Sequence, residues 1–320
     1  MSPESKNYRD MKKILVSLAA IFAAATMLSA QNMADATETA KLANESLSTG
    51  DFATALAGFQ EALKMAEACG DDGLELVATC KSVIPDLTRR VARTLAEEKK
   101  YDEAVAKYQE AIAIAKEYGD DATVAKAEEM IPNTYYTKAN DLLAAKDFDG
   151  AAAAYDQVLA IEPTNGNAAF KKGEALRNAG KNDAAVEAYK VAAANGQEKN
   201  ANTRLGSIYL TNAQNELKAK KFADAIKDAL ESYEYNQNPS AYYIAGMASQ
   251  YAGKNNDAIK YFEQYLEAAP TAKNAGQVAY TVGALYQNAK NNAKAKEFYG
   301  KAVSDPKYGA DAQKALAALK

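Results

Sequence analysis

Residues 167–194, NAAFKKGEALRNAGKNDAAVEAYKVAAA, decide the fold. Ala168, Ala169, Phe170, Gly173 and Leu176 precede Gly180, and Ala185, Tyr189 and Ala192 follow it. Spacings of three and four residues put each set on one face of an α-helix. Gly180 supplies a turn between two such helices, which can then run antiparallel. Gly173 and Ala185 remove side-chain bulk where the helices approach, and Tyr189 is expected to fill the gap between successive hairpins. Pro163 closes the segment before them.

A single hairpin of this size cannot cover its own apolar face, so the pattern has to recur before a core exists. The second-helix signature of Ala, an aromatic four later and a small residue three after that stands at Ala55/Phe59/Ala62, Ala104/Tyr108/Ala111, Ala185/Tyr189/Ala192 and Ala295/Tyr299/Ala302. Weaker copies are Ala151/Tyr155/Val158, Ala225/Ala229/Ser232 and Ala258/Phe262/Tyr265. First-helix partners at the point of close contact are Ala43, Ala92, Ala139, Gly173, Ala213, Gly246 and Gly283.

This recurring set resembles the tetratricopeptide repeat family over nearly the whole chain after residue 30. The resemblance implies an all-α, right-handed α-solenoid of about seven helix hairpins, with residues 308–320 as a C-terminal capping helix. Unit-ending prolines survive as Pro163, Pro270 and Pro306. Intervals between the second-helix alanines are 49, 47, 34, 40, 33 and 37, so only the later units approach the 34-residue family period. The early units must therefore carry longer helices. Gly70-Asp71-Asp72 and Gly119-Asp120-Asp121 mark equivalent turns there, and Pro85 and Pro132 mark equivalent breaks or kinks. The expected organisation is an N-terminal extension and signal peptide over 1–30, two units with lengthened helices over 31–131, and five units plus the cap over 132–320.

Lys12-Lys13 followed by an apolar run from Ile14 to Met27 and then Leu28-Ser29-Ala30 reads as a secretory signal peptide cleaved near Ala30, which predicts a bacterial periplasmic or secreted protein. Cys69 and Cys80 are expected as separate thiols, because their heights on two antiparallel helices differ by several Å.

Histidine is absent, which removes the commonest general base and metal ligand. The formal charge of −4 becomes −6 without residues 1–30, which hold four Lys+Arg and two Asp+Glu, so no basic field exists to attract nucleic acid. No phosphate loop, nucleophile motif or cysteine-pair metal site is present, so no catalytic residue, metal or cofactor is expected. Asp71-Asp72 and Asp120-Asp121 read as helix caps at positive helix termini.

What remains is a surface. In the resembled family the first helix of each hairpin lines a concave groove. Those stations carry Asn133, Tyr136 and Asn140, then Asn167, Phe170, Glu174 and Arg177, then Leu210 and Gln214. They continue with Tyr243, Met247, Gln250 and Tyr251, and end with Tyr280, Gln287 and Asn288. Tyr136, Phe170, Tyr243 and Tyr280 form one aromatic column, flanked by amides that can donate to and accept from a peptide backbone. The column could equally pack on the first-helix seam with its hydroxyls in water. Aromatics stand where receptors of a C-terminal dicarboxylate place Lys, so that role is not expected. The function implied is a non-catalytic scaffold of the cell envelope that holds a protein or peptide. A carbohydrate- or small-ligand-binding solenoid is the alternative, because tyrosine and amide columns also suit sugars.

Overall fold

The computed structural model describes residues 32–319, so the signal-peptide reading of 1–30 lies outside the described residues. Among the described residues every regular element is helical. These residues fall into two compact units divided between Ala145 and Lys146.

Unit 1 comprises α1 (32–49), α2 (Phe52–Ala68), α3 (Leu74–Glu97), α4 (Tyr101–Tyr118) and α5 (Asp121–Ala144). The lengthened helices expected from the wide early spacing are present. Pro85 and Pro132, however, break neither α3 nor α5, and both prolines are buried inside these 24-residue helices. Burial against neighbouring helices outweighs the lost backbone hydrogen bond. Asp120 caps α5 as expected, accepting from the Thr123 amide at 3.0 Å. Asp71 and Asp72 instead lie within a short 3-10 turn, Gly70–Gly73, whose N-cap is Cys69. Cys69 and Cys80 are both free thiols.

Unit 2 runs through α6 (Phe148–Ile161), α7 (Gly166–Asn178), α8 (Asn182–Ala192), α9 (Glu198–Lys218), α10 (Phe222–Asn236), α11 (Ser240–Tyr251), α12 (Asn255–Ala268), α13 (Ala275–Asn288) and α14 (Asn292–Ala302). It ends in α15 (Gly309–Ala318), where Ala312 is buried and Ala315 and Leu316 are half-buried, as expected of a cap. Within each unit, successive helices pack against one another. The α8–α9 connection is made by Asn195 and by Gly196, which takes φ +86°.

The register read from sequence is the register of the core. All of the second-helix signature residues are buried, from Ala55, Phe59 and Ala62 through Ala295, Tyr299 and Ala302, and so are the seven first-helix contact residues. Tyr108, Tyr155, Tyr189 and Phe262 are among the largest fully buried side chains. At about 25 cal/mol per Å² of apolar surface, each contributes roughly 2–3 kcal/mol. The Tyr189 ring lies over Gly173 of its own hairpin.

A second regularity marks the same register independently of hydrophobicity. Seven residues after each contact residue the backbone turns left-handed, at Gly50, Lys99, Lys146, Gly180, Lys220, Gly253 and Lys290, with φ between +59° and +85°. Each closes the turn between the two helices of a hairpin, and the next residue begins the second helix as its N-cap. Asp51, Asp147 and Asn291 do so with side-chain oxygens that accept from an amide three residues on.

Candidate functional site

The stations expected to line a groove are half core and half surface. Phe170 packs on Tyr189 at 5.5 Å between ring centroids. Tyr243 packs on Phe262 at 6.2 Å and Tyr265 at 5.4 Å, and Tyr280 on Tyr299 at 5.4 Å and Tyr308 at 5.5 Å. Each ring leans on the second helix of its own hairpin, so the column is half-buried, as Tyr136 and Asn140 are in unit 1. Met247 packs against the Phe262 cluster. Several amides already have partners within the chain: at the surface Asn133 donates to the Glu129 carbonyl and Asn167 accepts from Gln197, and half-buried Gln287 accepts from the Tyr299 hydroxyl. Gln214, Asn288 and Tyr251 are exposed and Gln250 is half-buried. Tyr251, at 59% exposure, is the most open aromatic of the set, with Phe222 beside it at 6.0 Å.

Each unit has a cavity on its first-helix face. In unit 1 the cavity is about 670 Å³ and opens between α3 and α5, walled by Arg89, Arg93, Tyr108, Met130, Asn133 and Thr137 and by the carboxylates of Glu97 and Asp141. Arg89 and Arg93 were not among the residues singled out from sequence. They stand at the same offsets from Ala92 as Tyr136 and Asn140 do from Ala139, so the register contained the signal. Arg89 donates to Asp86 through Nε and Nη2 at 2.9 and 2.7 Å, and Arg93 donates through Nε to Glu97 at 2.9 Å. At the rim, the Tyr101 hydroxyl donates to Asp141 at 2.7 Å, and burial together with that carboxylate pushes its pKa up to about 12.

In unit 2 a cavity of about 260 Å³ opens between α7 and α9, lined by Arg177, Asn182, Arg204, Ser207, Ile208 and Thr211. Counted from the contact residues Gly173 and Ala213, each of the six has a counterpart in the wall of the unit 1 cavity, counted from Ala92 and Ala139. The two cavities thus occupy one repeat station. Behind the unit 2 cavity Glu174 is a hub. It accepts from the Tyr189 hydroxyl and from Arg204 Nε at 2.9 Å, and pairs with Arg177 Nη2 at 3.5 Å. Burial first, then Glu174, raises the Tyr189 hydroxyl pKa. Arg177 Nε is buried without a hydrogen-bond partner.

A larger cavity of about 720 Å³ lies among α12, α13 and α14. It is walled by second-helix residues such as Glu263, Lys294 and Phe298, by the loops at Pro270 and Pro306 and by the start of α13, away from the station of the other two cavities. Among the described residues no cluster of three or more His, Cys, Asp or Glu could hold a metal ion, and no helix is long and apolar enough to cross a membrane.

Tetratricopeptide-repeat family models match residues 41–121 and 136–200, and a second model of the same repeat matches 239–271, together more than half of the chain. No curated protein sequence matches it. Similar solved structures include a MamA protein, at 21% identity over 56% of this chain and 94% of that one, with a TM-score of 0.33. Another is YrrB, described as a TPR protein with an unusual peptide-binding site, at 22% identity over 58% and 90% with a TM-score of 0.32. A third is the TPR2AB domain of yeast Sti1 in complex with pHSP90, at 14% identity over 89% and 98% with a TM-score of 0.34.

Proposed function

The chain is a tetratricopeptide-repeat protein, and from that premise we propose that it is a non-catalytic scaffold of the bacterial cell envelope, holding a protein or peptide against the first-helix face of its hairpins. One observation carries the reading: the same station opens into a cavity in both units, walled by arginine, amide and hydroxyl groups and, in unit 1, also by the carboxylates of Glu97 and Asp141. Recurrence of one pocket type at one repeat station suits a partner held by its side chains. Tyr251, Gln214 and Asn288 add exposed aromatic and amide surface on first helices. The signal-like segment Lys12 to Ala30 supports export, and the absence of histidine and of any nucleophile motif supports a binding role in place of catalysis.

The test uses surface positions, because Tyr243 and Tyr280 also pack the core. Proteins captured by the whole chain in its native envelope are cross-linked and identified, then compared with capture by the Tyr251→Ala, Gln214→Ala variant. Loss of specific partners on an unaltered fold supports the reading. Undiminished capture by a variant that also carries Arg93→Ala and Arg204→Ala overturns it.

The alternative, a sugar- or small-ligand-binding array, draws on Tyr251 standing open beside Gln250. A thermal-shift screen with oligosaccharides separates the two.

A further inference from the structure

The interval of 40 residues between Ala185 and Ala225 exceeds its neighbours of 34, 33 and 37. The excess falls at the start of α9. That helix begins fifteen residues before its contact residue Ala213, whereas α7, α11 and α13 begin six to eight before theirs, a difference of about two turns. The hairpin is antiparallel, so the end of α10 lies beside these extra turns, and a cavity of about 520 Å³ opens there. On one side α9 contributes Glu198, Lys199 and Asn202, and on the other α10 contributes Glu234, Tyr235 and Asn236. It shares no lining residue with the two first-helix cavities.

Its one aromatic ring and the amide beside it are preset by the fold. Tyr235 stacks on Tyr209 at 5.6 Å between centroids and 4° between planes. Asn236 lies over Gly206, where an added Cβ would be 2.3 Å from its Nδ2, and its Oδ1 accepts from the Asn238 amide at 3.2 Å. Around this pair, the side chains of Glu198, Asn202 and Glu234 have no hydrogen-bond or ion-pair partner among the described residues. Gln237, also in the wall, takes φ +51° where Gly70, Gly119 and Gly196 turn left-handed in other connections between hairpins. A side chain is kept at a position where glycine is the easier residue.

Two carboxylates against one lysine make the wall unfavourable to an anion, and a single ring gives an apolar ligand little to bury. A peptide backbone presents one donor and one acceptor per residue, fewer than this set could engage. A pyranose matches it, because most of its ring carbons carry a hydroxyl that both donates and accepts, and its C–H face packs on an aromatic ring. We propose that this cavity binds a sugar unit of a neutral glycan, with the C–H face on Tyr235 and the hydroxyls on Asn202, Asn236 and the two carboxylates. The site adds a second ligand to the scaffold reading and does not depend on it.

An array of neutral, uronic-acid-bearing and amino oligosaccharides probed with the whole chain tests this, and each retained glycan is then titrated against wild type and variants. Neutral glycans are expected to be retained. Tyr235→Ala and Asn202→Ala should each weaken their binding about tenfold or more. Helix content and melting are checked first, and because Tyr235→Ala also removes the stack on Tyr209, Asn202→Ala decides alone if that variant does not fold. Retention of no glycan, or of charged glycans only, overturns the proposal. So does neutral-glycan binding that survives both changes and is lost on Tyr251→Ala instead. Protein capture by the first-helix face is a separate readout, so none of these outcomes removes the scaffold reading.

Discussion

Gly173 and Tyr189 stand face to face in one hairpin: a Cβ added at Gly173 would lie 2.6 Å from Cε1 of the Tyr189 ring. The relation recurs between Gly246 and Phe262 and between Gly283 and Tyr299, at 2.5 and 2.7 Å. The bare backbone of the first helix is the surface on which the buried aromatic of the second is seated.

Gly173→Ala is therefore expected to destabilise, although alanine is the better helix former by about 1 kcal/mol. Overpacking costs typically 1–3 kcal/mol, so a net loss of about 1 kcal/mol is expected in urea unfolding. Gly300→Ala is the control, because no atom lies within 4 Å of a Cβ placed there. It should stabilise by roughly 0.5–1 kcal/mol. Equal effects of the two changes would show that close approach at Gly173 has no energetic weight.

Four lysines occupy left-handed turns. A non-glycine residue there costs roughly 1–2 kcal/mol, while glycine costs about 0.5–1 in unfolded-chain entropy. Lys220→Gly and Lys290→Gly are accordingly expected to raise the unfolding midpoint, by a few tenths to about 1 kcal/mol each. Gly180→Ala should lower it by a similar or larger amount. A fall in stability on either lysine change would disprove the strain argument.

Glu174 is a shared acceptor for Tyr189 and Arg204 with only 17% of its side chain exposed. Its replacement by Ala leaves the Tyr189 hydroxyl and Arg177 without their acid, an expected loss of about 1–3 kcal/mol. The Lys301–Glu297 pair is exposed, and Lys301→Ala should change stability by about 0.5 kcal/mol or less. Comparable losses at the two sites would contradict the hub assignment.

Glu216 carries a buried Oε2 without a partner, and burial, then Asp228 and Asp224, raise its carboxyl above 4.5 against the opposing Lys221 and Lys227. Burial raises Asp228 as well. A raised acid binds its proton more tightly in the folded state. Its stabilising contribution is therefore present in acid and lost as pH climbs from its ordinary value through the raised one. Glu216→Gln should be more stable than wild type near pH 7, by a few tenths to about 1 kcal/mol, with the gap closing toward pH 4. Asp86 and Asp141 shift the opposite way and destabilise the wild type and the variant alike on acidification. Urea unfolding at the two pH values decides it. A gap that widens in acid would reverse the sign.

The hairpin register was legible because burial imposes it locally: Ala185, Tyr189 and Ala192 must fall on one face, and helical periodicity fixes which face from a few neighbours. Legibility stopped where one position could serve two ends. Phe170, Tyr243 and Tyr280 obey the groove station, yet each ring is also held by a second-helix aromatic, and the pattern of letters is the same for either role.

By itself, then, the sequence determined the helix pairing, the seven contact residues and the C-terminal cap, since each follows from short-range spacing and from the need to cover an apolar face. Only the tertiary structure decided that Lys99, Lys146, Lys220 and Lys290 turn left-handed, that Tyr189 covers Gly173, and that Arg177 and Arg204 meet at Glu174. A lysine's letter carries no sign of φ. The two arginines belong to different hairpins, so their approach depends on how one hairpin stacks on the next, a distance that no periodicity along the chain encodes.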